Sequence, residues 1–163
     1  ELGLGRRLSQ AQRQRSALRF FRCVSKAGDG LFWFALAGLL PLFLGAAALP
    51  VVRRMAAVGI AAALVSKALK SLTARTRPFS AHAGVLLGAA PLDRYSFPSG
   101  HTLHAVAFSI VVLATYGGLA WLLVPFTLAV ALSRVVLGLH YPTDVAAGAA
   151  VGALLALSTL CLF

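Results

Sequence analysis

Residues 119–139 read LAWLLVPFTLAVALSRVVLGL, an unbroken apolar run whose single charge, Arg134, sits close to its end. At 1.5 Å per residue such a run reaches about 30 Å, the depth of a bilayer's hydrocarbon core. The same pattern recurs on both sides of it. Downstream, after His140, Tyr141 and Pro142, an apolar stretch runs from Thr143 to about Leu160; upstream, another runs from about Ser99 to Tyr116 and turns at Gly117 and Gly118. Further upstream lie Leu31–Leu49, interrupted by Pro41 and closed by Pro50, and a stretch from about Met55 to Leu72, with Arg53 and Arg54 marking the interface between them. Proline is tolerated inside lipid-embedded helices that have neighbours. The pattern predicts an all-α integral membrane helical bundle of about five transmembrane helices, plus an N-terminal amphipathic surface helix.

Composition agrees. Of the 163 residues, 60% are hydrophobic and 12% charged, which excludes a disordered chain and leaves too little polar surface for an ordinary soluble domain. Mean hydropathy is +0.86. Fifteen Lys and Arg against four acids give a net charge of +11. In so apolar a chain that excess points to anionic lipid headgroups, phosphate substrates or both, and not to nucleic acid. The acids are Glu1, Asp29, Asp93 and Asp144, and no two lie close enough in sequence to suggest a Mg²⁺ or two-metal cluster, so neither metal nor cofactor is expected. Cys23 and Cys161 are too few for a disulfide framework and read as small apolar fillers.

Residues 6–26 carry seven positive charges interleaved with Leu8, Ala11, Leu18, Phe20, Phe21 and Val24, the pattern of a basic helix lying on an anionic membrane surface. Gly28, Asp29 and Gly30 would turn the chain into the first crossing. The beginning at Glu1 reads as a processed end, and no cleavable signal pattern is evident, because the first apolar run follows a long basic stretch and is itself long enough to span. Between Thr73 and Phe97 the chain is mixed; its apolar middle, Ala83–Ala90, is too short to cross and reads as an interfacial or re-entrant loop.

Alternating crossings bring Lys70–Arg77, Ser99–His104, Arg134–His140 and Asp144 to one membrane face. Ionisable residues at that depth are costly, and a cluster of them marks a functional site. Lys70, Arg77 and Arg134 around the imidazoles of His101 and His140 describe a pocket for a phosphoryl group, whose transition state spreads negative charge over its oxygens. Ser99 and Gly100 precede an apolar run, so Ser99 is placed to cap a helix whose free N–H groups face a bound phosphate. Asp144 falls in the first turn of the last helix, four residues after His140, where its carboxylate can hold one imidazole nitrogen and leave the other free to attack.

Three blocks carry a family resemblance. Residues 70–78 read KSLTARTRP, residues 98–101 PSGH, and residues 133–144 SRVVLGLHYPTD. In that order and spacing, over roughly residues 30–160, the chain resembles the type-2 phosphatidic acid phosphatase superfamily of membrane lipid phosphate phosphatases, related to vanadium haloperoxidases. The resemblance implies a single membrane-embedded phosphatase domain over 1–163, with 1–28 as the basic amphipathic segment and 30–160 as the catalytic helical bundle. It implies His140 as nucleophile forming a phosphohistidine, Asp144 as its orienting partner, and His101 as the general acid that later activates water. Lys70, Arg77, Ser99, Gly100 and Arg134 would hold the phosphoryl oxygens without a metal. The family's membrane members commonly have six crossings, one more than the five counted here. GDGLFWF (28–34) and YSFPSGH (95–101) look more like compact members acting on isoprenoid phosphates than like the larger phosphatidate enzymes.

Other polar residues have plainer readings. His82 and His104 read as satisfied core histidines; a zinc pair of His101 and His104, one turn apart, lacks further ligands. Lys67, Arg75 and Arg94 read as snorkelling interfacial cations. Trp33, Trp121, Tyr95, Tyr116 and Tyr141 read as membrane anchors. Ser133 would support the pocket through its hydroxyl, and Gly148 with Gly152 would let two helices approach closely.

With no appended soluble domain, the expected substrate is an amphiphile whose tail stays in lipid: a polyprenyl or related isoprenoid phosphate or diphosphate, with phosphatidate, phosphatidylglycerophosphate or a glycolipid phosphate as the alternative. A vanadate-dependent peroxidase and a non-enzymatic lipid-binding protein are the remaining classes. Of the fifteen basic residues only Arg53 and Arg54 fall opposite the cluster, so the positive-inside rule places the site on the cytoplasmic face; the expected setting is a multi-pass protein of a bacterial cytoplasmic (inner) membrane.

Overall fold

The computed structural model describes residues 2–82 and 84–162, and all regular structure among them is helical. The N-terminal segment is where it departs most from the sequence reading. Instead of one basic helix over 6–26, the chain forms α1 (Leu2–Ser9), a 3₁₀ turn over Gln10–Arg13, and α2 (Arg15–Lys26). Extended backbone at Gln14 (φ −85°, ψ 117°) separates the last two. The break has a tertiary cause. Gln12 is buried, and its side-chain amide donates to the carbonyls of Leu86 (2.9 Å) and Val136 (2.6 Å), which draws the segment inward. Arg7, Arg13, Arg15, Arg19, Arg22 and Lys26 stay exposed.

A turn over Ala27–Leu31 leads into α3 (Phe32–Leu44). Gly45, at φ 68°, closes that helix in a conformation most residues resist, and Pro50 opens α4 (Leu49–Thr73) in its first turn, where its missing N–H costs nothing. Arg53 and Arg54 therefore lie within α4 and not in a connecting loop. After the four-residue α5 (Pro78–Ala81) the described residues up to Ser99 are irregular. Its path is fixed by backbone bonds from Gly88 N–H to the Leu137 carbonyl (3.0 Å) and from Ser96 N–H to the Arg75 carbonyl (2.9 Å). Residues 84–90, expected as an interfacial or re-entrant loop, thus pack against the end of α7; Ala83 lies outside the described residues.

Three helices complete the bundle: α6 (Gly100–Leu113), α7 (Ala120–Val136) and α8 (Pro142–Leu162). α6 is central, packed chiefly on α8 and also on α4 and α7. Its approach to α8 depends on two small residues. A Cβ on Gly148 would stand 2.6 Å from the Ser99 carbonyl oxygen, and one on Gly152 would stand 2.4 Å from that of Leu103.

The core gathers Trp33, Val58, Val111, Val112, Leu123 and Val130, with the Phe108 and Phe126 rings 5.2 and 5.7 Å from Trp33. Trp33 is 3% exposed and Tyr141 7%, so these two are interior residues and not interfacial anchors. Trp121, 76% exposed, has the position an anchor needs. Cys23 and Cys161 are both exposed, which corrects their reading as fillers.

The outer surface carries Phe34, Phe43, Leu64, Leu72, Leu128 and Leu154, all well exposed, an apolar face that water would penalise and lipid would not. Three helical stretches are long and apolar enough to cross a membrane: one within Arg15–Ala81, then Gly117–Val136 and Pro142–Leu162. In the last of these, only 22% of the most apolar window is buried inside the protein. α6, apolar but 14 residues long, reaches about 21 Å at the helical rise.

Candidate functional site

The site forms where the ends of α4 and α7 meet the beginnings of α6 and α8. His140 stands on the turn between α7 and α8, and Gly138 makes that turn possible. At φ +70° it reverses the chain, and any Cβ there would lie 2.3 Å from the Leu86 carbonyl oxygen. The N–H groups of Leu139 and His140 then both donate to the Arg134 carbonyl, each at 3.1 Å.

His140 is 3% exposed, and both faces of its ring are determined. Nδ1 lies 2.6 Å from the Ser96 carbonyl oxygen, so the proton belongs on Nδ1 and the lone pair on Nε2. Asp144 Oδ2 is 3.6 Å from Nδ1, near but beyond a hydrogen bond. The expected Asp144–His140 pairing is therefore present as an electrostatic contact, while a backbone carbonyl holds the ring. Burial pushes the imidazole down to about 4; Arg134 and Arg77 push the same way and Asp144 opposes them. At neutral pH Nε2 is consequently unprotonated.

Asp144 is fully buried. Its Oδ2 accepts from Tyr141 N–H (2.9 Å) and its Oδ1 from Arg75 Nη1 (2.6 Å). Arg75 also donates to Thr143 Oγ1 (2.8 Å) and lies 4.1 Å from the centre of the Tyr141 ring. A snorkelling cation would do none of this; Arg75 belongs to the site.

The phosphate-binding candidates converge on His140. Arg77, 3% exposed, has Nη1 3.3 Å from His140 Nε2 and donates to the Leu139 carbonyl (2.8 Å). Its Nη2 reaches Asp93 Oδ1 (2.7 Å), while Lys70 Nζ reaches Asp93 Oδ2 (2.5 Å). Burial alone would push the Asp93 carboxyl up, but Lys70 and Arg77 together hold it below the ordinary carboxylate range. Asp93 thus places two oxygens between the two cations expected to take phosphate oxygens. Arg134, also 3% exposed, donates from Nη1 to Ser25 Oγ on α2, and its Nε has no hydrogen-bond partner among the described residues. A buried guanidinium N–H without an acceptor suits an anionic ligand.

Ser99 and Gly100 open α6 as expected, with one difference. Ser99 holds the N-cap position, but its hydroxyl pairs with Thr102 Oγ1 (3.0 Å) and caps no backbone N–H. Its own N–H donates to the Asp144 carbonyl (2.9 Å), tying the two helix starts together. His101, one residue into α6, has Nε2 3.3 Å from Asp29 Oδ1 and lies within electrostatic reach of Arg134, His140 and Lys70. His104 Nδ1 bonds the Gly100 carbonyl (2.8 Å) and its ring lies beside Phe108. Ser133 does not support the pocket: its hydroxyl turns back to the Val130 carbonyl (2.6 Å) of its own helix. The described residues contain no group of three or more His, Cys, Asp or Glu able to hold a metal.

A cavity of about 1160 Å³ adjoins the cluster. At one end it meets Lys70, Asp93, His101 and Asp29; from there it follows α4 to Val52, walled by Trp33, Phe34, Ile60 and Phe108 among others. Lys70 and Val52 are about 27 Å apart along the helix. The site is thus a small polar head joined to a long apolar trough.

A family model described as the PAP2 superfamily matches residues 51–163. The chain belongs to that superfamily. It is 40% identical over 120 residues to the decaprenylphosphoryl-5-phosphoribose phosphatase of Mycobacterium tuberculosis, a match covering 71% of this chain and 65% of that protein. It is 31% identical to the undecaprenyl-diphosphatase of Sulfolobus acidocaldarius over 77% of this chain and 60% of that one. Among solved structures, LpxE of Aquifex aeolicus superposes with a TM-score of 0.85 at 26% identity, covering 99% of this chain and 94% of its own. The chain thus spans less than two thirds of the length of the two curated phosphatases, 65% of one and 60% of the other.

The three PAP2 blocks supply every residue singled out for catalysis or phosphate binding, and the fold brings all eight to one end of the bundle. Sequence reasoning missed four residues that contact this cluster. Arg75 lies between Lys70 and Arg77 in the first block, where position alone suggests an interfacial cation. Ser96 contributes only a carbonyl, which no side-chain pattern reveals. Asp93 and Asp29 are plain in the sequence as carboxylates, yet nothing local marks them as facing Lys70, Arg77 and His101 across the site.

Proposed function

We propose that this protein is a metal-independent lipid phosphate phosphatase of the membrane, hydrolysing a polyprenyl phosphomonoester or diphosphate through a phosphohistidine. The observation that carries the reading is the state of His140: Nδ1 held by the Ser96 carbonyl, and Nε2 unprotonated beside Arg77. His140 Nε2 attacks phosphorus while Lys70, Arg77, Arg134 and the N–H groups at the start of α6 take the phosphoryl oxygens. As the P–O bond to the leaving group breaks, the lipid alcohol of a monoester or the lipid phosphate of a diphosphate, its electrons stay on that oxygen, which takes the proton carried by His101. Neutral His101 then accepts a proton from water, whose oxygen bonds phosphorus and displaces His140. Asp144, already paired with Arg75, offsets the charge the imidazole acquires.

In this reading five helices cross the bilayer, α3, α4, α6, α7 and α8. The exposed basic residues of α1 and α2 rest against anionic headgroups, which puts the site at the cytoplasmic face of a bacterial inner membrane. The substrate class rests on two supports: relatives named for decaprenyl and undecaprenyl lipids, and a trough along α4 that suits one long apolar tail. The test is phosphate release in detergent, with chelator present, from polyprenyl phosphate, polyprenyl diphosphate, phosphatidate and phosphatidylglycerophosphate. Release should favour the prenyl substrates and vanish in His140→Ala and His101→Ala. A flat profile refutes the prenyl assignment, and activity persisting in His140→Ala refutes the chemistry.

A further inference from the structure

Asp29 lies outside the matched stretch of 51–163, on the turn between α2 and α3, and none of the three sequence blocks includes it. Yet its Oδ1 stands 3.3 Å from Nε2 of His101, and among the described residues it is the carboxylate that His101 contacts. The other groups whose charge weighs most on this imidazole are Arg134 on α7, His140 on the α7–α8 turn, Lys70 on α4 and His104 on α6 itself. All of them are cations or can become cations, and each repels a protonated ring.

That arrangement sets a problem for a general acid. It must carry its proton when substrate arrives, in a pocket whose other groups were selected to attract anions. We propose that Asp29 is the positioning residue that keeps the proton on His101 Nε2, so that the ring meets the leaving oxygen as an imidazolium. The inference rests on the phosphatase reading above and adds to it a residue from the N-terminal segment.

Geometry supports a temporary hold. Charge-assisted N–H···O bonds close to about 2.7–2.9 Å, and at 3.3 Å with a side chain 39% exposed Asp29 is held loosely enough to yield to a substrate oxygen at the same nitrogen. The proton passes from Nε2 to the leaving oxygen as the P–O bond breaks; in the second half-reaction a water proton returns to Nε2 and Asp29 takes up its contact again. His140 and His101 are then matched, each with a carboxylate partner. Asp144 is buried and permanent, Asp29 half-exposed and exchangeable.

The test uses the full chain in detergent micelles and two readouts. Ring-labelled histidine NMR follows the titration of His101, which in Asp29→Asn should move to lower pH by about one unit and in Asp29→Glu should stay near wild type. The alkaline limb of kcat, which tracks the protonated general acid, should move the same way, with a smaller change in KM. A titration of His101 unchanged in Asp29→Asn overturns the proposal whether or not any lipid is hydrolysed. A shifted titration with an unmoved alkaline limb overturns Asp29's role in catalysis, and His101→Ala activity equal to wild type overturns the phosphatase reading separately.

Discussion

Replacing Gly148 with alanine tests whether the α6–α8 contact positions the site as well as holding the bundle. The new Cβ would meet the Ser99 carbonyl oxygen at 2.6 Å, against an ordinary van der Waals separation of about 3.4 Å, so the two helix starts must part by about 0.8 Å. The obstacle is backbone in a buried helix start and has no rotamer to offer. Ser99 N–H now donates to the Asp144 carbonyl at 2.9 Å; the same movement stretches that bond to about 3.7 Å and breaks it. Overpacking of this kind costs about 1–3 kcal/mol. The larger effect is on chemistry: Ser99 and Gly100 withdraw from His140 and Asp144, and a misplacement near 1 Å costs about 100-fold in rate. Phosphate release and thermal unfolding in one detergent should therefore show kcat falling far more than stability. Gly38→Ala, whose Cβ meets nothing within 4 Å, is the control and should keep both. Wild-type activity in Gly148→Ala would refute the claim that this contact sets the site's geometry.

Three further outcomes follow from the geometry. With the His140 imidazole at about 4, Nε2 is free at neutral pH and becomes protonated as pH falls through that value, so kcat/KM in the free enzyme should hold down to about pH 5 and fall below pH 4; an acid limb near 6.5 would contradict the burial argument. Asp93→Asn removes a carboxylate that occupies Lys70 and Arg77, and inorganic phosphate should then inhibit about three- to tenfold more tightly, whereas weaker inhibition would mean that Asp93 orients the cations instead of competing for them. Arg75→Ala leaves fully buried Asp144 without its cation, and should lower stability by about 2 kcal/mol after allowance for Arg75's partial exposure, with kcat down by about 10- to 100-fold, measured by unfolding and turnover on the same sample.

The site was legible wherever chemistry and spacing coincide. Lys70, Arg77, His101, Arg134, His140 and Asp144 bear side chains whose types already describe an anion pocket, and the apolar runs between them told how the chain returns to one end. What escaped was set by partners far off in sequence. Ser96 acts through a carbonyl that any residue would offer. Arg75 resembles every other interfacial arginine until Asp144, 69 positions away, is seen to hold it. Asp144 itself was expected to hold the imidazole, but a backbone oxygen lies a full ångström nearer to Nδ1 than the carboxylate does. The basic helix over 6–26 failed for a similar reason: its periodicity was right for a surface helix, but the bonds of Gln12 to Leu86 and Val136 decide the backbone, and no local pattern contains them.

Those two bonds also separate having the motifs from having the machine. The stretch that the family model matches begins at residue 51, after Trp33, Leu40 and Ala48 have entered the core, after Ser25 has taken hold of Arg134, and long after Gln12 has bridged two carbonyls beside the reacting end. A chain trimmed to its signature would keep every reactive group while stripping away the clasp that fastens them, much as a lock keeps its pins when the housing is cut off.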